Sequence, residues 1–194
     1  MRAIAFLLSL RAIASADGEP PSKKEKLLAE KASRPPVHRA LAPKPAAPTT
    51  PISLVNLWTH EVLPVDPTWP ARAPDEQAVD RFLRCHFTNQ STQMDPRLVG
   101  VLLAAAARFH ENVVEVVSGY RAPKYQLALR KKGHEVGRDS QHPLGHAVDF
   151  RLPGLATRKL LRFVRSLGRG GVGFYPDSEF VHTDTGPVRF WRGH

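Results

Sequence analysis

Two short runs concentrate the residues able to do chemistry: Ser140-Gln141-His142-Pro143-Leu144-Gly145-His146-Ala147-Val148-Asp149 and Phe180-Val181-His182-Thr183-Asp184. The segment His146 to Arg151 reads as a strand. Its two-residue period sets Ala147, Asp149 and Arg151 on one face and Val148 and Phe150 on the other. An aspartate in so apolar a strand is costly to bury without a cation or hydrogen-bond donors. The loop before it offers His142. The second run is also strand-like, with Phe180, His182 and Asp184 sharing a face. If the two strands are neighbours, His142, Asp149 and His182 converge as two imidazole nitrogens and one carboxylate oxygen. Three such ligands with a fourth position left for water is the pattern of a catalytic zinc site. Bound zinc lowers the pKa of a water from about 15.7 toward about 7 and polarises a carbonyl. Either run alone reads as hydrogen-bonded structural polarity; only the two together favour the metal.

Other reactive side chains fit less well. Cys85 is the only cysteine, which excludes an intramolecular disulfide and a thiolate zinc cluster; it falls in a helical pattern and reads as a small core residue. Ser140 has no obvious base beside it and reads as a brace for its loop. His146 alternates away from Asp149. His134 and Glu135 belong to a polar loop, Gly133 to Gly145, and read as solvated.

Helices and strands must position these groups. Ile52 to Leu57 and Val62 to Val65 read as a hairpin around Thr59-His60. Asp75 is placed to cap a helix bearing Ala78, Val79, Phe82 and Leu83. Asp95-Pro96 starts a second, with Leu98, Leu102, Ala105 and Phe109 at helical spacing. Val113 to Val117 reads as a strand ending in the turn Ser118-Gly119-Tyr120-Arg121, and Pro123 to Lys132 as a helix. Thr157 to Leu167 is a further helix closed by Gly168. Val172 to Tyr175 and Phe180 to Asp184 form a hairpin across Pro176-Asp177-Ser178. The expected class is α+β: a small antiparallel sheet carrying the zinc site, with flanking helices.

The 194 residues accommodate one ordinary domain with an extension. Residues 1–16 read as a signal peptide, with Arg2, the apolar run Ala3 to Leu10 and an A-x-A site at Ala14-Ser15-Ala16. Residues 17–50 are rich in Pro, Lys and Ala and read as a linker. That leaves 51–194 as the catalytic domain. No stretch is apolar for the roughly 18–20 residues a membrane span needs. The net charge of +10 invites a nucleic-acid reading. No basic-aromatic recognition element accompanies it, and much of the charge lies in the tail, so no nucleic-acid partner is expected.

The pattern Ser140-x-His142-x-x-Gly145-x-Ala147-x-Asp149, followed by His182-x-Asp184, resembles the zinc D-Ala-D-Ala peptidase superfamily. Within it the chain most resembles the murein endopeptidase K-like (YcbK-like) family. Further agreement lies in Leu54 to Glu61, Asp95 to Leu98, Ser118 to Arg121, Gly170 to Pro176 and Phe180 to Arg189, in order along Pro51 to Trp191.

The resemblance implies that His142, Asp149 and His182 hold Zn2+. It sets Arg121 near the substrate carbonyl, where a fixed guanidinium suits an oxyanion or a carboxylate. The general base is open between Asp184, the preferred residue, which shares the face of His182, and Glu179. Glu179 occupies the place of a catalytic glutamate in the vancomycin-resistance dipeptidases. Asp184 is equally suited to orienting a ligand histidine. The implied activity is zinc-dependent hydrolysis of peptidoglycan stem-peptide cross-links, in the periplasm or cell envelope. The alternatives are a D-Ala-D-Ala carboxypeptidase and a non-catalytic wall-binding module that keeps the fold.

Overall fold

Apolar residues at two-residue spacing build most of the strands, and three- and four-residue spacing builds the helices that cover them. A computed structural model describes residues 50–70, 75–132, 137 and 139–194. They lie in one of the two units into which the chain divides, Pro45–His194; the other, Met1–Lys44, falls outside the described residues. The signal peptide, the linker up to residue 49, and His134 and Glu135 also fall outside them.

The described residues form strands β1 (Ile52–Asn56), β2 (Val62–Val65), β3 (Val113–Ser118), β4 (Ala147–Arg151), β5 (Gly171–Tyr175), β6 (Phe180–Asp184) and β7 (Arg189–Arg192). Four helices accompany them: α1 (Glu76–Phe82), α2 (Arg97–Phe109), α3 (Pro123–Lys131) and α4 (Thr157–Leu167). Asp75 caps α1, its Oδ1 accepting the Ala78 N–H at 2.6 Å. Asp95 precedes α2 and its Oδ1 accepts the Arg97 N–H at 3.0 Å.

One seven-stranded sheet runs in the order β2-β1-β3-β4-β6-β5-β7. It is mixed, which corrects the expectation of a small antiparallel sheet: β1 pairs parallel with β3, and β5 parallel with β7. The reason lies in the connections. Two helices between β2 and β3 return the chain in the direction of β1, as a parallel neighbour requires. After β6 the chain reverses again, but β4 and β5 already occupy both edges of β6. The last strand therefore takes the free edge of β5 and runs parallel to it. Strand β7 and the 3-10 turn His142–Leu144 are elements that hydrophobic period did not announce, being only four and three residues long.

On one side of the sheet, Val114, Val116, Val148, Phe150, Val172, Phe174 and Val181 join a core with Leu98, Leu102, Ala105 and Ala106 of α2 and Leu160, Leu161 and Val164 of α4. Leu98 and Leu102 are fully buried, so truncating either to alanine costs about 2–5 kcal/mol. This rigid layer leaves the opposite faces of β4 and β6 to carry polar groups.

Candidate metal centre

Asp149 of β4 and His182 of β6 are direct cross-strand partners in an antiparallel ladder. Their side chains therefore leave the same face side by side, as alternation on each strand requires. His142 enters from the 3-10 turn. Gly145 ends that turn at φ 75, and a Cβ there would fall 2.3 Å from the Gln93 carbonyl oxygen. The motif glycine is thus explained by a left-handed turn pressed against a neighbouring backbone.

The three ligand atoms face one another. His142 Nε2 lies 3.1 Å from His182 Nδ1 and 3.3 Å from Asp149 Oδ1. His182 Nδ1 lies 2.8 Å from Asp149 Oδ1. Zinc–ligand bonds of about 2.0–2.1 Å set tetrahedral neighbours about 3.3 Å apart, so the triangle has the size and donor chemistry of a zinc site. Among the described residues this is the group of histidine and carboxylate side chains gathered closely enough to hold an ion.

The remaining ring nitrogens fix the tautomers. His142 Nδ1–H donates to the Gly119 carbonyl at 2.7 Å, and His182 Nε2–H donates to Asp184 Oδ2 at 3.1 Å. Each bond leaves the other nitrogen with a lone pair toward the centre. Burial, aided by the Arg121 guanidinium, lowers the His142 pKa to about 4, keeping the ring neutral. Burial alone would raise Asp149, but His142 and Arg121 outweigh it and hold the carboxyl well below its ordinary range. Burial would lower His182, yet its bonds to Asp149 and Asp184 raise it.

Arg121 sits beside this triangle, its side chain 17% exposed. Its Nε donates to Ser118 Oγ at 2.9 Å and its terminal nitrogen pairs with Asp149 Oδ2. Asp184 is fully enclosed. Besides His182, it accepts the N–H groups of Gly171 and Gly186, both at 2.9 Å, and Arg189 at 2.7 Å. Burial opposes its ionisation, but these donors hold the pKa far below normal. Glu179 lies elsewhere: it is exposed in the β5–β6 turn at φ 55, and the neighbouring Asp177 and Ser178, not Glu179, line the cleft.

That cleft, about 1050 Å³, takes in the triangle and residues on both sides of it in the strand order. Trp58, His86 and Tyr125 line one end; Tyr175, Trp191 and His194 line the other. Trp58 and His194 are exposed. Trp191 lies 5.0 Å from the His182 ring, centroid to centroid, and its indole N–H donates to the Tyr175 hydroxyl at 3.0 Å. Trp58, His86, Tyr125, Trp191, Arg189 and Ser118 are residues of the site that no local pattern in the sequence singles out.

Residues 45–191 match the family Peptidase_M15_2, described as peptidoglycan L,D-endopeptidase MepK. A Haemophilus influenzae protein called "Probable peptidoglycan L,D-endopeptidase MepK" is 38% identical over 117 residues, covering 59% of this chain and 63% of the relative. The "Peptidoglycan L,D-endopeptidase MepK" of Escherichia coli strain K12 is 35% identical over 114 residues, covering 58% and 63%. The aligned part thus spans less than two thirds of these relatives' length. No solved structure matches the chain significantly.

Proposed function

The chain belongs to the Peptidase_M15_2 family, and from that premise we propose that it is a zinc-dependent peptidoglycan endopeptidase that hydrolyses L,D cross-links between stem peptides. The observation that carries this reading is the placement of the His142–Asp149–His182 triangle within a cleft lined on one side by the exposed Trp58 and on the other by the exposed His194. A cross-linked substrate needs chain on both sides of the cut bond. A carboxypeptidase needs a closed end for a terminal residue, whereas exposed residues, Trp58 and His194, line this cleft on either side of the triangle.

When bound, zinc supplies Lewis-acid polarisation of the scissile carbonyl and an acidified water. His142 and His182 offer lone pairs because Gly119 and Asp184 hold their other N–H groups. Asp149 shares one oxygen with the metal position and gives the other to Arg121. Arg121, anchored by Ser118, directs positive charge toward the developing oxyanion. Asp184 has its oxygens taken up by His182, Gly171, Gly186 and Arg189, which favours the orienting role over that of base. Glu179 would need its turn to rearrange before it reached the reacting atoms. The same reading includes export through the segment 1–16, with 17–50 as a tether and 51–194 as the catalytic domain in the periplasm or cell envelope.

The test uses the purified chain with stoichiometric zinc, and L,D- and D,D-cross-linked muropeptide dimers resolved by chromatography and mass spectrometry. Conversion of L,D dimers to monomers is expected, abolished by a chelator and by His182→Ala. Release of a terminal D-Ala alone would make it a carboxypeptidase. Zinc binding without cleavage would make it a wall-binding module.

A further inference from the structure

An aromatic patch at one end of the cleft has no part in the reaction just described. Trp58 follows β1, His86 lies between α1 and α2, and Tyr125 belongs to α3. Strand β3 carries an irregularity between Val116 and Ser118, and the Val117 carbonyl there accepts the Trp58 indole N–H at 2.9 Å. The indole stacks on His86 at 4.5 Å with planes 8° apart. Tyr125 braces His86 edge-on at 4.9 Å, and Phe87 stacks on Tyr125 at 5.1 Å. Despite this support Trp58 is 58% exposed and Phe87 55%. Large apolar rings held rigidly in water mark a binding surface.

We propose that Trp58, backed by His86 and Tyr125, stacks against a pyranose ring of the glycan that carries the stem peptide; this rests on the peptidase reading above. The indole N–H is already engaged, so the ring meets a ligand with its face. The electron-rich face of an indole attracts polarised C–H groups such as those on one side of a pyranose. Burial, with the nearby Arg121, lowers the His86 pKa, which favours the neutral ring against which the indole stacks. Distance fits as well. β1 is two strands from β4, on the order of 10 Å, which about three extended peptide residues bridge. A sugar at the root of the stem is therefore within reach of Trp58 while the cut bond sits at the triangle.

The test compares kcat/KM of the zinc-loaded full chain on L,D-cross-linked dimers that retain their disaccharides and on the same dimers freed of sugar by an amidase. Wild type is expected to favour the sugar-bearing dimer by about tenfold, mainly through KM. Trp58→Ala should bring the ratio toward one. Trp58→Phe, which keeps a ring face but loses the N–H, should retain part of it. In parallel, the zinc-free chain is titrated with GlcNAc–MurNAc disaccharide while indole N–H chemical shifts are followed; saturable movement of the Trp58 signal is expected. A wild-type ratio near one, or one that Trp58→Ala leaves intact, overturns the subsite. If neither dimer is cleaved, the peptidase reading fails and the titration decides alone: saturable binding at Trp58 sustains the subsite, and none overturns it.

Discussion

His182 Nε2 lies 3.1 Å from Asp184 Oδ2, and that contact decides which nitrogen of His182 faces Asp149 and His142. The two residues share a strand face, yet the aspartate is enclosed by Gly171, Gly186 and Arg189. Gly171 must lack a side chain for this, since a Cβ would fall 2.6 Å from Asp184 Oδ2.

Asp184→Asn keeps the shape but replaces one acceptor with a donor amid four donating groups. Zinc affinity is expected to weaken about 10–100-fold, with most of the rate recovered at saturating zinc. Metal competition and kcat measured on the same preparation check it. Unchanged affinity with a thousandfold loss of rate, or more, would instead identify Asp184 as the base.

Arg121→Lys should lower kcat/KM on the order of a hundredfold while zinc remains bound. A lysine cannot reproduce the fork that engages Ser118 and Asp149 together. Zinc stoichiometry and turnover of L,D dimers separate loss of charge placement from loss of metal.

Gly173 is the cross-strand partner of both His182 and Trp191. A Cβ at Gly173 would come within 2.7–2.8 Å of the Trp191 indole. Gly173→Ala is therefore expected to push Trp191 off the His182 ring and cost about 1–3 kcal/mol. Urea unfolding and the indole N–H resonance of Trp191 report the two effects.

Asp95 gives the clearest pH dependence of stability. Hydrogen bonding from Arg97 lowers its pKa from 3.8 to about 2, against the opposing effect of burial. A folded-state pKa below the unfolded value means that the stabilisation is present above about pH 4 and is lost as pH falls toward 2. Because Arg97 is largely exposed, solvent screening reduces the contribution to about 1 kcal/mol. Asp95→Asn should lose that amount at neutral pH and flatten the acid limb, as acid titrations of unfolding free energy would reveal.

The parts legible in the sequence are those whose chemistry repeats at short range. Alternation along Ala147–Arg151 and Phe180–Asp184 set Asp149 and His182 on their strand faces, and helical spacing marked α2 and α4. A proline at helix entry and a glycine after Leu167 marked ends. Beta-strand partners carry no such local mark. That β6 inserts between β4 and β5, bringing Asp149 opposite His182, depends on which edges remain free after the rest of the sheet forms.

Sequence alone therefore determined the three candidate ligands, their family and the local elements bearing them, because donor type and periodicity are written residue by residue. Tertiary structure decided the rest. It made the sheet mixed, since the β1–β3 crossover and the occupied edges of β6 left no antiparallel option. It enclosed Asp184, left Glu179 outside the cleft lining and laid Trp191 over Gly173. It also stacked Trp58 on His86, residues 28 positions apart, through a contact that no local pattern encodes.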